Sequence, residues 1–201
     1  MSRRSMRQNA VLLVAGFCLA VTPAIAQEDA KWEGVAYAGL YHSPGATKPT
    51  VGVQGGFLAI SHLRVFGELN YVPLGSASSS ASGGGETVSG SGSARMVNFG
   101  GGADYTIPIN NDKLQPYGLF VLGDGHTTAS YSESESGSTS YSASGSSSAN
   151  SFYLGFGGGV RYFLKPNLGI RPEFRYQRYT GYGGFNSIQL SAGLFYRFGG
   201  K

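Results

Sequence analysis

The sequence predicts an all-β chain: an eight-stranded antiparallel up-and-down transmembrane β-barrel, preceded by a cleavable signal peptide. Three observations predict it. An export signal opens the chain, the remainder alternates apolar and polar residues at period two, and the connections between the alternating segments switch between short and long. The alternation is plainest in residues 187–198, SIQLSAGLFYRF. Ile188, Leu190, Ala192, Leu194, Tyr196 and Phe198 share one face; Ser187, Gln189, Ser191, Gly193, Phe195 and Arg197 share the other. Side chains alternate across a strand, so this segment has one apolar face and one that is mostly polar or small. That is the pattern of a barrel with lipid outside and polar groups within.

Arg3, Arg4 and Arg7 precede an uncharged apolar run over residues 10–21, followed by Pro23 and Ala24-Ile25-Ala26. A basic start, a short apolar run and an A-x-A site define a signal peptide over residues 1–26, cut before Gln27. Cys18 lies inside the run behind Phe17, and a lipoprotein site wants a small residue there, so cleavage without lipidation is expected. The mature chain then has no cysteine and relies on no disulfide. Losing three arginines leaves 12 basic against 11 acidic residues, which removes the apparent basicity as an argument for nucleic-acid binding. Charged residues make up only 13% of the chain and glycines number 33, which suits a wall solvated by lipid on one side. No mature segment is long and apolar enough for a membrane helix, which leaves a closed barrel as the way to satisfy the backbone in a bilayer.

A short segment, 27–31, leads into a barrel expected over residues 32–198, with 199–201 as a tail. The first strand covers residues 32–41, with Val35, Tyr37, Gly39 and Tyr41 expected outward. The second covers 50–60, with Val51, Val53, Phe57 and Ala59 outward, and Ser61-His62 turns the chain. The third covers 63–73, with Leu63, Val65, Leu69 and Tyr71 outward against Arg64, Glu68 and Asn70. The fourth covers 94–107, with Val97, Phe99, Ala103 and Tyr105 opposite Asn98 and Asp104. Residues 108–112 have turn chemistry. The fifth covers about 115–125 and has no clear facing. The sixth covers 151–164, with Phe152, Leu154, Phe156, Val160 and Tyr162 against Gly155, Gly157, Gly159 and Arg161. After Lys165-Pro166-Asn167 comes the seventh, 168–179, with Leu168, Ile170, Phe174 and Tyr176 against Arg171, Glu173, Arg175 and Gln177.

Connections after the second, fourth and sixth strands are short, and those after the first, third, fifth and seventh are longer. Outer-membrane barrels have short periplasmic turns and long outer loops, so both termini are expected in the periplasm. Two loops, near residues 75–93 and 126–150, are rich in serine and glycine. In residues 130–146 every even position is Ser. Two readings stay open: a flexible linker, or a hairpin that continues the strands and turns near Gly137.

The strand count, the alternating loops and the aromatic ending resemble the small eight-stranded outer-membrane β-barrel family of the OmpA/OmpX type. The residues that carry the resemblance are Gly169-Ile170-Arg171-Pro172-Glu173-Phe174-Arg175-Tyr176 and Gly193-Leu194-Phe195-Tyr196-Arg197-Phe198. It implies the outer membrane of a Gram-negative-type bacterium. It also implies a setting of outer-membrane lipids and lipopolysaccharide, with delivery by periplasmic chaperones to the barrel-assembly machinery. Leu194, Tyr196 and Phe198 would form the closing-strand signal, although Gly199-Gly200-Lys201 follows where the family usually ends on the aromatic residue. No peptidoglycan-binding segment follows the barrel, so wall anchoring is not expected.

The expected inward charges are Arg64, Glu68, Asp104, Arg161, Arg171, Glu173, Arg175 and Arg197. An eight-stranded barrel is just wide enough for side chains to fill it, and buried charges must pair, so a plugging ion-pair network is preferred to an ion pathway. Glu173 is expected to hold several guanidiniums, with Arg161 and Arg197 flanking it. The outward tyrosines among Tyr41, Tyr71, Tyr105, Tyr153, Tyr162 and Tyr176 would form an interfacial girdle, and Tyr153 is expected inward. The glycine runs 100–102 and 157–159 lie within strands and read as wall packing, not phosphate loops. The only histidines are His42, His62 and His126. His126 shares a loop with Ser130, Glu133 and Glu135, an arrangement that any serine-rich loop would produce. No catalytic, cofactor or metal site is expected. The expected function is a non-enzymatic barrel that supports the envelope and displays loops for adhesion or other contacts. The alternatives are a narrow solute pore or a lipid-modifying enzyme, and no extracellular ligand is identifiable.

Overall fold

Period two decides which side chains a strand can turn each way, and closing the sheet makes one of those sides a lumen. The computed structural model describes residues 32–83, 86–136, 140–181 and 184–199. The signal peptide, the 27–31 segment, the turn expected near Gly137 and the last two residues of the tail lie outside the described residues. Eight strands follow in order: β1 Trp32–Ser43, β2 Ala46–Ile60, β3 Leu63–Gly83, β4 Glu86–Thr106, β5 Leu114–Ser136, β6 Tyr141–Lys165, β7 Leu168–Tyr179 and β8 Asn186–Phe198. Each pairs antiparallel with its neighbours, and β8 returns to β1 with Phe198 opposite Trp32, so the sheet closes into a barrel.

The inward and outward faces are as read for β3, β4, β6, β7 and β8, and for β2 as far as Phe57; a bulge between Leu58 and Ile60 then sets Ile60, rather than Ala59, opposite Leu63 on the outer face. Leu69, Phe99, Phe174 and Leu194 stand exposed on the outer face, while Arg64, Asn70, Asp104, Arg171 and Gln189 are buried in the lumen. β5 turns Tyr117, Leu119 and Val121 inward.

The expected facing of β1 is reversed. Val35, Tyr37 and Tyr41 are buried inside, and Trp32 and Leu40 are exposed outside. The reason is Glu33, which shares their parity and is fully buried. A carboxylate cannot face hydrocarbon, so its strand turns the Glu33 face into the polar lumen. Tyr41 therefore does not belong to the outer girdle.

Three of the four connections expected to be long are also not long loops; only that between β7 and β8, residues 180–185, stays outside the strands. β1 and β2 are joined by Pro44-Gly45 alone, with Gly45 at φ 86°. The serine-rich stretches are strand: β3 pairs with β4 as far as Gly83 opposite Glu86, and β5 with β6 as far as Glu135 opposite Tyr141. Small side chains at period two lengthen the ladder. The two ends of the barrel thus differ in wall height. β3 to β6 run 21, 21, 23 and 25 residues, against 12 for β1 and β7 and 13 for β8.

Glycines let the strands approach inside the wall. A Cβ added at Gly157 would lie 2.9 Å from Arg175 Cα and closer still to the Phe174 carbonyl oxygen on β7. Gly55 faces outward with nothing within 4 Å of such an atom. Gly157→Ala should therefore destabilise by about 1–3 kcal/mol through overpacking, while Gly55→Ala stays within about 0.5 kcal/mol of the parent. Urea unfolding in lipid vesicles checks this, and equal effects at the two positions would contradict the packing role.

Candidate functional site

The lumen is graded along its length. Towards the short turns it is charged; towards the tall wall it is aromatic, where Tyr41, Tyr153 and Tyr179 meet. The Tyr179 and Phe185 rings stack with centroids 4.6 Å apart, and Tyr153 lies 5.3 Å from Tyr179. Val72, Met96 and Val121 pack into the same cluster.

The charged layer is built on Glu33. Its carboxylate lies 3.0 Å from Arg64 Nη1, 3.2 Å from Arg161 Nε, 3.5 Å from Arg171 Nη1 and 2.9 Å from Arg197 Nε. It thus ties β1 to β3, β6, β7 and β8. Asp104 shares three of these partners, at 2.7 Å from Arg64 Nη2, 2.6 Å from Arg161 Nη2 and 3.6 Å from Arg171 Nη2. Deeper in the lumen, Glu173 lies 2.6 Å from Arg171 Nη2 and 2.5 Å from Arg175 Nε. Arg175 Nη1 continues to Glu68 at 2.6 Å.

Neutral groups complete the network. The Gln54 side-chain oxygen accepts from Arg64 and Arg171, each at 3.0 Å. Tyr117 donates to Glu173 at 2.6 Å and accepts from Arg171 Nε at 2.5 Å. Its ring lies between the Arg161 and Arg171 guanidiniums, 4.4 Å from each. Tyr153 donates to Glu68 at 3.0 Å, and Asn70 donates to Tyr37 at 3.1 Å. Charge-assisted bonds of this kind are the strong ones, and a network with its members paired can be buried.

All eight charges read from the sequence lie in this lumen. The structure redistributes them. Glu173 holds Arg171 and Arg175, whereas Arg161 and Arg197 go to Glu33. With Glu33 included, four carboxylates face five arginines, so the excess over the network is one positive charge rather than two. Gln54 and Tyr117 are not legible in the sequence as network members, and Glu33 is missing from the expected set. The signal for Glu33 was present: a lone carboxylate near the start of a spanning strand defines the inner parity of that strand.

The other candidates do not converge. His126 Nδ1 lies 2.6 Å from Asn150 Oδ1, and Ser130 bonds Ser93 at 3.0 Å. Glu133 and Glu135 fall on the opposite parity of β5 from His126 and Ser130. His42 bonds Thr47 at 2.8 Å, and His62 lies edge-on to Tyr105. Among the described residues, no group of three or more His, Cys, Asp or Glu is placed to hold a metal ion. Leu194, Tyr196 and Phe198 are exposed on the outer face of β8, with the last two rings stacked 6.4 Å apart.

Residues 10–198 match the profile of the outer membrane protein beta-barrel domain family. Similar solved structures include Ail, the attachment invasion locus protein of Yersinia pestis, at 20% identity and a TM-score of 0.53, covering 86% of this chain and all of that one. Neisserial surface protein A is similar at 18% identity and a TM-score of 0.52, covering 84% of this chain and 97% of that one. At such identities the likeness is one of fold. Comparison with curated protein sequences found no match.

Because Glu33 holds four guanidiniums and Glu173 two, Glu33→Ala should cost more stability than Glu173→Ala. The expected loss at Glu33 is about 3–5 kcal/mol, the range for leaving buried charges uncompensated. Urea unfolding of both variants in lipid vesicles decides it; a Glu33→Ala barrel as stable as the parent would show that the ion pairs do not hold the wall.

Proposed function

The chain belongs to the outer membrane protein β-barrel family, and from that premise we propose a non-enzymatic barrel that supports envelope integrity and displays its tall hairpins for adhesion or other surface contacts. The family places the chain among the lipids of the outer membrane. The observation that carries the reading is the lumen itself: Glu33, Asp104, Glu173 and Glu68 bridge five arginines on four strands and leave a cross-section filled with paired side chains. A barrel closed in this way acts through its surface, and the surface it projects furthest is the β3–β6 wall. The separation of His126 and Ser130 from Glu133 supports a non-enzymatic role.

The tall β3–β4 and β5–β6 hairpins rise at the end opposite the turns 61–62, 107–113 and 166–167, which supports a periplasmic position for those turns and for both termini, with the tall hairpins outside. Lipopolysaccharide would then surround the tall wall, and chaperones with the barrel-assembly machinery would deliver the chain, reading β8. A narrow pore is the competing function.

Planar-bilayer recording separates the two. The parent should show no steady openings, and Glu33→Ala should open an anion-favouring leak, because removing that carboxylate leaves Arg64, Arg161, Arg171 and Arg197 with less compensation. Steady openings of the parent would reject the closed barrel in favour of a pore. Orientation is checked on intact cells: a protease site inserted after Gly84 should be cut, and one after Asn111 should not. The reverse pattern would overturn the topology.

A further inference from the structure

Register stacks hydroxyls in rows across the tall wall. Ser78, Ser91, Ser132 and Ser144 lie opposite one another on β3, β4, β5 and β6. Ser80, Ser89, Ser134 and Ser142 form the next row. Within the rows Ser91 and Ser132 are 2.8 Å apart, and Ser89 and Ser134 2.7 Å. These two rows border a trough of about 550 Å³ that crosses all four strands, with the backbone of Ser79, Gly90, Glu133 and Ala143 between the rows. The opposite face carries different chemistry, including Val88, Tyr131, Glu135 and Tyr141.

A bulge on β3 brings its serines into this array. The register shifts between Pro73 and Gly75, where Leu74 is the additional residue. Below the bulge the odd residues Leu69 and Tyr71 face outward; above it the even residues Ser78 and Ser80 pair with Ser91 and Ser89. Without that one residue, β3 would present Ala77, Ser79 and Ala81 instead. Solubility alone asks for neither the bulge nor an unbroken set of hydroxyls, since any mixed polar surface provides it.

We propose that this trough binds a neutral saccharide chain carried by the lipids of the surrounding outer leaflet. The proposal rests on the tall hairpins lying outside the cell. Serine hydroxyls donate and accept at once, as sugar hydroxyls do. The lining includes no Lys or Arg, and the Glu133 side chain turns to the opposite face with Tyr131 and Glu135, so the trough offers hydroxyls and no cation to hold phosphate or sulfate. Successive strands present hydroxyls at ~4.8 Å, close to the length of one pyranose ring, so one sugar unit can meet each strand. The volume lies within the usual range of ligand clefts. Position selects the source. The serine face continues the outer face that carries Val97, Phe99 and Phe152 lower down, and Ser91 lies six residues beyond Val97, ~20 Å along the strand. The sugars above the acyl chains of the same leaflet lie at that height.

The test uses the full chain refolded in detergent micelles. The probe is lipopolysaccharide oligosaccharide, freed from its lipid and dephosphorylated, and binding is measured by calorimetry. Binding should survive dephosphorylation, fall at least tenfold in the double variant Ser91→Val with Ser132→Val, and stay within twofold in Ser91→Thr, which keeps the hydroxyl. A gel-mobility shift on heating confirms that each variant is folded. Failure to bind, loss of binding on dephosphorylation, or an unchanged double variant would overturn the trough. Equal binding of dextran oligomers would overturn the leaflet as the source. Micelles leave both ends of the barrel open, so failure there counts against the trough, while reversed protease access on cells counts against the orientation alone.

Discussion

Nine charged side chains occupy a lumen too narrow to hydrate them, and the rest of the barrel is arranged around pairing them. Taking a carboxylate or a guanidinium out of water costs several kcal/mol even after relaxation. That cost is offset only where each charge meets opposite charge and its remaining donors or acceptors are met. Glu33 provides such meetings for β3, β6, β7 and β8 at once, and Asp104, Glu173 and Glu68 extend the chain of pairs up the lumen. The facing of β1 follows from this one residue, and the use of Gly157 and Gly159 follows from the Tyr117, Arg171 and Glu173 group. Those small positions admit the Tyr117 ring and the backbone of β7, which sets the ring beside Arg171 and Glu173.

The same alternation that builds the lumen also builds the tall wall. In the membrane the outer parity is mostly apolar, with Asp124 in register between Phe99 and Phe152, and the inner parity is largely charged, polar or aromatic. Above it, on β3 to β6, the outer parity becomes hydroxyl and the inner parity becomes small, acidic or tyrosine. No new backbone rule is needed beyond the single bulge at Leu74. The aromatic cluster of Tyr41, Tyr153, Tyr179 and Phe185 lies where the charged lumen ends. The closure of the channel and the display of a surface are therefore two consequences of one period.

Much of this was legible in the sequence, because period two and a lone charge are local signals. Residues 168–179 and 187–198 announce their faces without help, since large apolar and charged residues strictly alternate there. β1 misleads because the middle of its outer face, between Trp32 and Leu40, is built from Gly34, Ala36 and Ala38. Its larger residues, Val35, Tyr37 and Tyr41, mimic a lipid face while filling the lumen. The serine-rich stretches were ambiguous for a physical reason: the same small polar residues suit a flexible linker and a strand, and only pairing with neighbouring strands decides between them. The distribution of arginines among carboxylates depends on strand stagger around a closed ring, which no local pattern encodes. That is why Glu173 stood out and Glu33 did not.

The account depends on the network acting as one unit rather than as independent pairs. A double-mutant cycle on Glu33→Gln and Arg161→Met, followed by urea unfolding in lipid vesicles, measures this directly. Groups that share partners in a buried network should show a coupling of at least about 1 kcal/mol, the double variant losing clearly less than the two single losses together. Losses that add to within about 0.3–0.5 kcal/mol, as for distant and independent sites, would contradict the account.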